Sequence, residues 1–145
     1  MIVIEVRGLP APQGSKRHVG NGIMVESSKA VGPWREAVRA ETQRARQVTA
    51  AAPMGGAVYV EVMFALPRPR GHWRTGRNAG ILRGSAPAYP SGRPDLDKLL
   101  RAVLDGLTAG GAWKDDAQVA LVNASKVYGD PGCRIAVGEL EAGGC

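Results

Sequence analysis

The chain has little sulfur and almost no imidazole. Cys133 and Cys145 are its only cysteines and form no CxxC pair. That argues against a disulfide framework and makes a reducing, cytoplasmic setting the expectation. His18 and His72 are the only histidines, which all but removes the ligands for a zinc centre. No apolar run approaches the ~20 residues that span a bilayer, so no membrane partner is expected. The opening Met1-Ile2-Val3-Ile4-Glu5-Val6-Arg7 has neither a basic leader nor a long apolar core and does not read as a secretory signal. Aromatic residues make up only 5% of the chain. A general single-strand binder would want more stacking surfaces. What remains is ordinary globular composition, 44% hydrophobic and 22% charged over 145 residues, which fits one domain, 1–145, with its own core.

Charge is unevenly spread. The total is +6, made of +4 in residues 1–50, +5 in 51–93 and −3 in 94–145. The middle part carries Arg68, Arg70, Arg74, Arg77, Arg83 and Arg93, with no acid between them. Guanidinium forks match phosphate oxygens, so this stretch suits a phosphodiester backbone. All six aspartates lie between Asp95 and Asp130. A basic surface beside an acidic cluster suits a metal-dependent nucleic-acid enzyme. A solvated basic loop that keeps the protein soluble is the plain alternative.

Along the chain, alternation predicts a strand over 2–7, broken by Gly8-Leu9-Pro10-Ala11-Pro12-Gln13-Gly14. Ile23-Met24-Val25 is a short second candidate. Pro33 opens a helix over about 33–48, with Trp34 as a core anchor beside Val38 and Ala45. Residues 50–56 read as a linker. Val58, Val60, Val62, Phe64 and Leu66 give the clearest strand. Residues 67–94, rich in Pro, Gly and Arg and without periodicity, read as a mobile basic loop that orders on DNA. Leu99, Leu100, Val103, Leu104 and Leu107 make an amphipathic helix over 97–107, ended by Gly110-Gly111. Both parities of 118–128 are largely apolar, which predicts a central strand over part of that range. After Gly129-Asp130-Pro131-Gly132, Ile135 and Val137 mark a returning strand. The order argues for one α+β domain.

The sharpest constellation is Arg93-Pro94-Asp95-Leu96-Asp97, the helix, then Asp115-Asp116. Where extended chain enters a helix, Asp95 and Asp97 can face one place, at an end that favours carboxylates. The helix runs roughly 16 Å, and spacing alone does not say whether Asp116 returns to the same end. Three clustered carboxylates repel one another, and one would protonate unless a cation sat among them. Oxygen-only ligands select Mg²⁺, with Mn²⁺ as a substitute. The same acids would also serve as an N-cap, a first-turn acid and a turn pair. Asp97 and Arg101 share a helix face, so Arg101 either sits on a phosphate or forms a plain ion pair. Lys126 shares strand parity with Asp116, and Lys16-Arg17 follows a Pro/Gly turn as a phosphate-contact candidate.

The runs Arg93-Pro94-Asp95-Leu96-Asp97-Lys98-Leu99-Leu100-Arg101 and Trp113-Lys114-Asp115-Asp116-Ala117-Gln118-Val119, with Lys126, resemble the RusA family of Holliday-junction resolvases. The early Gly8–Lys16 turn and the Leu66-Pro67-Arg68-Pro69 strand end look like that family too. The resemblance implies a small dimeric α+β endonuclease, a mixed sheet packed with two main helices. It implies Mg²⁺-dependent, symmetric nicking of four-way DNA junctions, leaving 5′-phosphate and 3′-hydroxyl ends. By position, Asp95, Asp97 and Asp116 would bind the metal. Arg101 stands where the family has a lysine, and Lys98 where it often has Asn. Arginine keeps the charge but cannot trade protons near neutral pH. Arg101 and Lys126 would then neutralise charge, while Lys16, Arg17, the six arginines of 68–93 and Lys98 would hold phosphates. Two rivals from other classes are a branched-DNA-binding protein without catalysis and a two-carboxylate glycosidase. The glycosidase leaves the arginines unexplained.

Overall fold

The computed structural model describes residues 1–14, 16–18, 24–26 and 29–141, and of 16–18 and 24–26 only the backbone pairing. In chain order the elements are β1 (Ile2–Arg7), β2 (Lys16–His18), β3 (Met24–Glu26), α1 (Val31–Thr49), β4 (Val58–Leu66), α2 (Leu96–Ala109), β5 (Val119–Tyr128) and β6 (Gly132–Glu139). β2 and β3 pair with each other. The other four strands form one mixed sheet in the order β1-β6-β4-β5, in which only β4 and β5 run parallel. The chain is therefore the α+β domain that its element order implied, with the mixed sheet and two main helices that the resemblance implied.

Period-two patterning sets the core. Ile2, Ile4 and Val6 pair with Val137, Ile135 and Cys133, which in turn pair with Val60, Val62 and Phe64. All of these are buried, and both helices cover this face. The third of these rows continues onto β5 at Lys126, the partner of Phe64. An apolar row thus ends in a cation at the sheet edge. The opposite face leaves Val3, Met63 and Leu121 exposed.

α1 buries Trp34, Val38 and Thr42 at four-residue spacing. Thr42 is tolerated there because its hydroxyl donates to the Val38 carbonyl at 2.7 Å. α2 buries Leu99, Ala102, Val103, Gly106 and Leu107. The helices touch where Gly106 and Gly110 face Val38 and Thr42. A Cβ on Gly106 would lie 2.7 Å from the Val38 side chain, and one on Gly110 2.6 Å from Thr42. Arg46 of α1 donates to the Gly110 carbonyl at 3.1 Å, a cation at the negative end of α2.

One expectation needs correction, and two are sharpened. Residues 119–128 form an edge strand, not a central one: β5 pairs with β4 alone, and residues 120–123 are exposed. Apolar parity on both sides signals cover, and no described part of this chain supplies it. The returning strand β6 does not pair with β5. The 129–131 turn straddles the end of β4, with Gly129 N–H donating to the Leu66 carbonyl at 2.9 Å. Residues 50–56 are more than a linker, because Met54 bridges to the buried Trp113.

Candidate active site at the open end of the parallel strands

β4, α2 and β5 form a strand–helix–strand unit, so the C-terminal ends of two parallel strands meet the N-terminus of α2. That end of such a unit is where ligands bind in open α/β sheets. Asp95 is the N-cap, extended at φ −69° and ψ 138°, with no side-chain capping bond, and Asp97 lies in the first turn. Both are exposed. An N-cap carboxylate that does not close on its own helix is open to solvent or ligand, in the positive field of the helix end. The Lys98 ammonium stands 3.7 Å from the Asp95 carboxylate. Gln13 donates its N–H to the Lys98 carbonyl at 3.0 Å, bringing the 8–14 turn alongside α2. That turn, Leu66, Arg93, Pro94, Asp95 and Lys98 enclose a cavity of about 630 Å³.

Lys126 is at this end, not beside Asp116. Its ammonium donates to the carbonyls of Gly92 at 2.8 Å and Pro94 at 3.0 Å. It fixes the approach to Asp95, and its charge is spent on backbone. Arg101 is exposed, and it makes no ion pair with Asp97 or any other described acid.

Asp116 is at the other end of the sheet. It opens a 3₁₀ turn, Asp116–Gln118, just before β5. Gln118 donates to the Met54 and Gly56 carbonyls, both at 2.9 Å, beside the start of β4. The parity argument linking Asp116 to Lys126 fails because Asp116 lies outside the strand. The seven residue steps from Val119 to Lys126 span roughly 23 Å of strand. A hydrogen bond with Asp115, desolvation and the charges of Asp115 and Asp105 push the Asp116 carboxyl above the usual carboxylate range. Asp105 is itself held by the Gln13 amide, whose oxygen accepts from Arg35 at 2.8 Å.

Chemically, exposed carboxylates without imidazole or thiolate suit a hard divalent ion. Geometrically, one chain does not assemble the trio: among the described residues no three acids converge on a shared point. A single copy therefore does not fit a three-carboxylate metal site.

The 67–94 stretch has more internal structure than its composition suggests. One 3₁₀ turn, Arg70–His72, leads into a small hairpin, and a second, Gly76–Asn78, lies in its loop. The hairpin is closed by Arg74 N–H to the Ile81 carbonyl at 2.9 Å and Arg83 N–H to the His72 carbonyl at 2.8 Å. Three of the six arginines turn inward: Arg68 donates to the Pro87 carbonyl, Arg74 to Leu82 and Arg83 to Trp73. Arg70, Arg77 and Arg93 are exposed, with no hydrogen bond or ion pair to described residues. Lys16 and Arg17 lie on β2, and their side chains fall outside the described set. Sequence reasoning passed over Trp73, Tyr89 and Tyr128, which gather at the base of this stretch. Two isolated aromatics in an aperiodic loop and one at a strand end gave no signal of that.

A carboxylate-bearing helix start beside an arginine-rich cover, at the open end of parallel strands, outlines a phosphate-handling α+β protein. Endodeoxyribonuclease RusA is the family whose pattern matches, over residues 6–138, and the chain belongs to that family. No curated protein matches it.

Proposed function

We propose that this protein is a Mg²⁺-dependent endonuclease that resolves four-way DNA junctions by paired symmetric nicks, acting as a homodimer. The observation that carries the reading is the meeting of Asp95 and Asp97 with an arginine-rich segment in a chain of an endodeoxyribonuclease family. A two-fold dimer suits a junction with two equivalent strands to cut.

The separation of Asp116 from Asp95 and Asp97 gives the dimer a second purpose. Among the described residues β5 has no partner on its outer side, and its exposed middle includes Leu121 and Val122, the kind of edge that pairs with another chain. Antiparallel pairing of two β5 strands about Leu121 or Val122 would set residue 116 of one protomer opposite residue 126 or 128 of the other. The acidic Asp115-Asp116 end would then face the end bearing Arg93, Lys98 and Lys126, so charge complementarity favours that register. Asp95 and Asp97 of one protomer and Asp116 of its partner would form each metal site, two per dimer. When bound, a hard divalent ion supplies the Lewis-acid charge that promotes in-line attack of water on a phosphodiester.

The chain's own residues have the following roles. Lys126 holds the Gly92 and Pro94 carbonyls and so orients Asp95. Arg101, one turn beyond Asp97, presents a cation to the phosphate. It stabilises charge and moves no proton. Arg70, Arg77 and Arg93 hold flanking phosphates without reading sequence.

The separation of the acids within one chain also supports a second reading, a branched-DNA-binding protein without catalysis. Incubation with an end-labelled four-way junction separates the two. Cleavage with Mg²⁺ that stops in EDTA while binding survives is the expected result. Binding with no cleavage under either condition overturns the nuclease reading.

A further inference from the structure

Of the seven aromatic side chains, Trp34, Phe64 and Trp113 are buried in the core. Three of the remaining four, Trp73, Tyr89 and Tyr128, line a single cavity of about 640 Å³ between the 67–94 segment and the β5–β6 turn. Its size lies within the roughly 300–1,000 Å³ range of small-ligand sites. Tyr89 is 67% exposed and Trp73 36%, so large flat rings face solvent where burial would otherwise be favoured. The Arg68 guanidinium lies over the Tyr128 ring, 4.2 Å from its centroid. His72 meets the same ring edge-on at 5.4 Å. Arg68 also donates to the Pro87 carbonyl at 2.8 Å. One residue thus stacks on one wall and ties down the strand of chain that carries Tyr89, another.

We propose that this cavity is a stacking pocket for an unpaired nucleobase, and that it favours branched or frayed DNA over continuous duplex. The inference rests on the reading of the protein as a DNA nuclease and extends it to how the substrate is recognised. Every base has a π face, and aromatic or guanidinium surfaces stack on it regardless of sequence. The occupant is polyanionic by charge complementarity, because Arg70 and Arg77 of the same segment project from it unpaired among the described residues. The wall pairs one cation with one carboxylate: Arg68 is already stacked on Tyr128 and bonded to the Pro87 carbonyl, and Asp130 on the β5–β6 turn can accept from an exocyclic amino group of a base. The position fits as well. Tyr128 follows Lys126 by two residues on the helix-bearing face of β5, and Lys126 grips the backbone just before Asp95. A base held here sits on the Asp95 side of the molecule. Continuous duplex keeps its bases stacked and offers nothing to the pocket, whereas a branch point does.

The test is equilibrium binding of the full-length protein, in EDTA so that no strand is cut, by fluorescence anisotropy. Three probes are compared: a continuous duplex, the same duplex with one unpaired nucleotide at a branch, and that branch with an abasic site in place of the unpaired base. The branched probe should bind about 5- to 150-fold more tightly than its abasic twin, the range expected of one base–aromatic stack. Tyr89→Ala and Trp73→Ala should each erase most of that gain and leave duplex binding unchanged, while Tyr89→Phe retains it. With 2-aminopurine as the unpaired base, the wild type should quench its emission and Tyr89→Ala should not. Equal affinity for the branched and abasic probes overturns the pocket while leaving the nuclease reading intact. So does an equal loss on duplex and branch in the alanine variants. Failure to bind any of the DNAs overturns both.

Discussion

Mixing two inactive variants tests whether Asp95 and Asp116 act across a dimer. Each carboxylate oxygen on a shared Mg²⁺ must lie within about 2.1 Å of the ion. The roughly 23 Å of strand between Val119 and Lys126 rules that out for one chain's two ends as folded. Asp95→Asn and Asp116→Asn homodimers should therefore each be inactive, both of their sites being damaged. Co-refolding equal amounts gives about half mixed dimers if exchange is random. In a mixed dimer one site carries both substitutions and the other carries neither. About a quarter of wild-type sites are then restored. Each lies alone in its dimer, so the products should be single nicks on a denaturing gel with few resolved duplexes on a native gel. Asp95→Asn mixed with Asp97→Asn is the control: both residues come from the same protomer's end, every site stays damaged, and no activity should return. A silent Asp95/Asp116 mixture, with exchange verified by differently tagged chains, would refute the shared site. Equal rescue in the control pair would refute it too.

Other expectations follow from single contacts. Arg101→Ala should leave stability within about 0.5 kcal/mol, since an exposed side chain without partners is removed, yet slow junction cleavage under single-turnover conditions. Arg101→Lys should recover much of the rate if charge is what the position supplies. Gly106→Ala sets roughly 1–3 kcal/mol of overpacking against Val38 against about 1 kcal/mol of gained helix propensity, so its urea midpoint should fall. Burial pushes the Cys133 thiol up to about 12. At pH 8 only about one part in ten thousand would be thiolate, so iodoacetamide should spare Cys133 in the native protein and label it once unfolded.

Short-range periodicity made most of the fold legible. β1, β4 and α2 follow directly from residues such as Ile2-Ile4-Val6, Val58–Leu66 and Leu99-Val103-Leu107. The misplacement of β5 has a definite cause. Val122 and Ala124 point toward the helices and Leu121 away from them, and a pattern apolar on both sides does not say whether its cover comes from the same chain. The site was legible as local motif. Asp95 and Asp97 fall at the helix start that Pro94 and the leucine spacing foretold. Where Asp116 would lie was not, because a helix of known length fixes a distance but not which strand end the chain meets next. The 67–94 segment defied the pattern for another reason. Its bonds run from arginine side chains to backbone carbonyls through 3₁₀ turns, which leave no hydrophobic period to read.

The strand order also constrains how the protein is born. Among the described residues, β1 has no sheet neighbour except β6, more than 120 residues later in the chain. β5 and β6, though three residues apart, cannot zip into a local hairpin because β4 must lie between them. Sheet closure therefore waits until β6, Gly132–Glu139, has been made, and long-range pairing of this kind is slow. Translation that stalls before residue 132 would release a chain with β1 unpaired and one flank of β4 open, a natural target for chaperones and proteases.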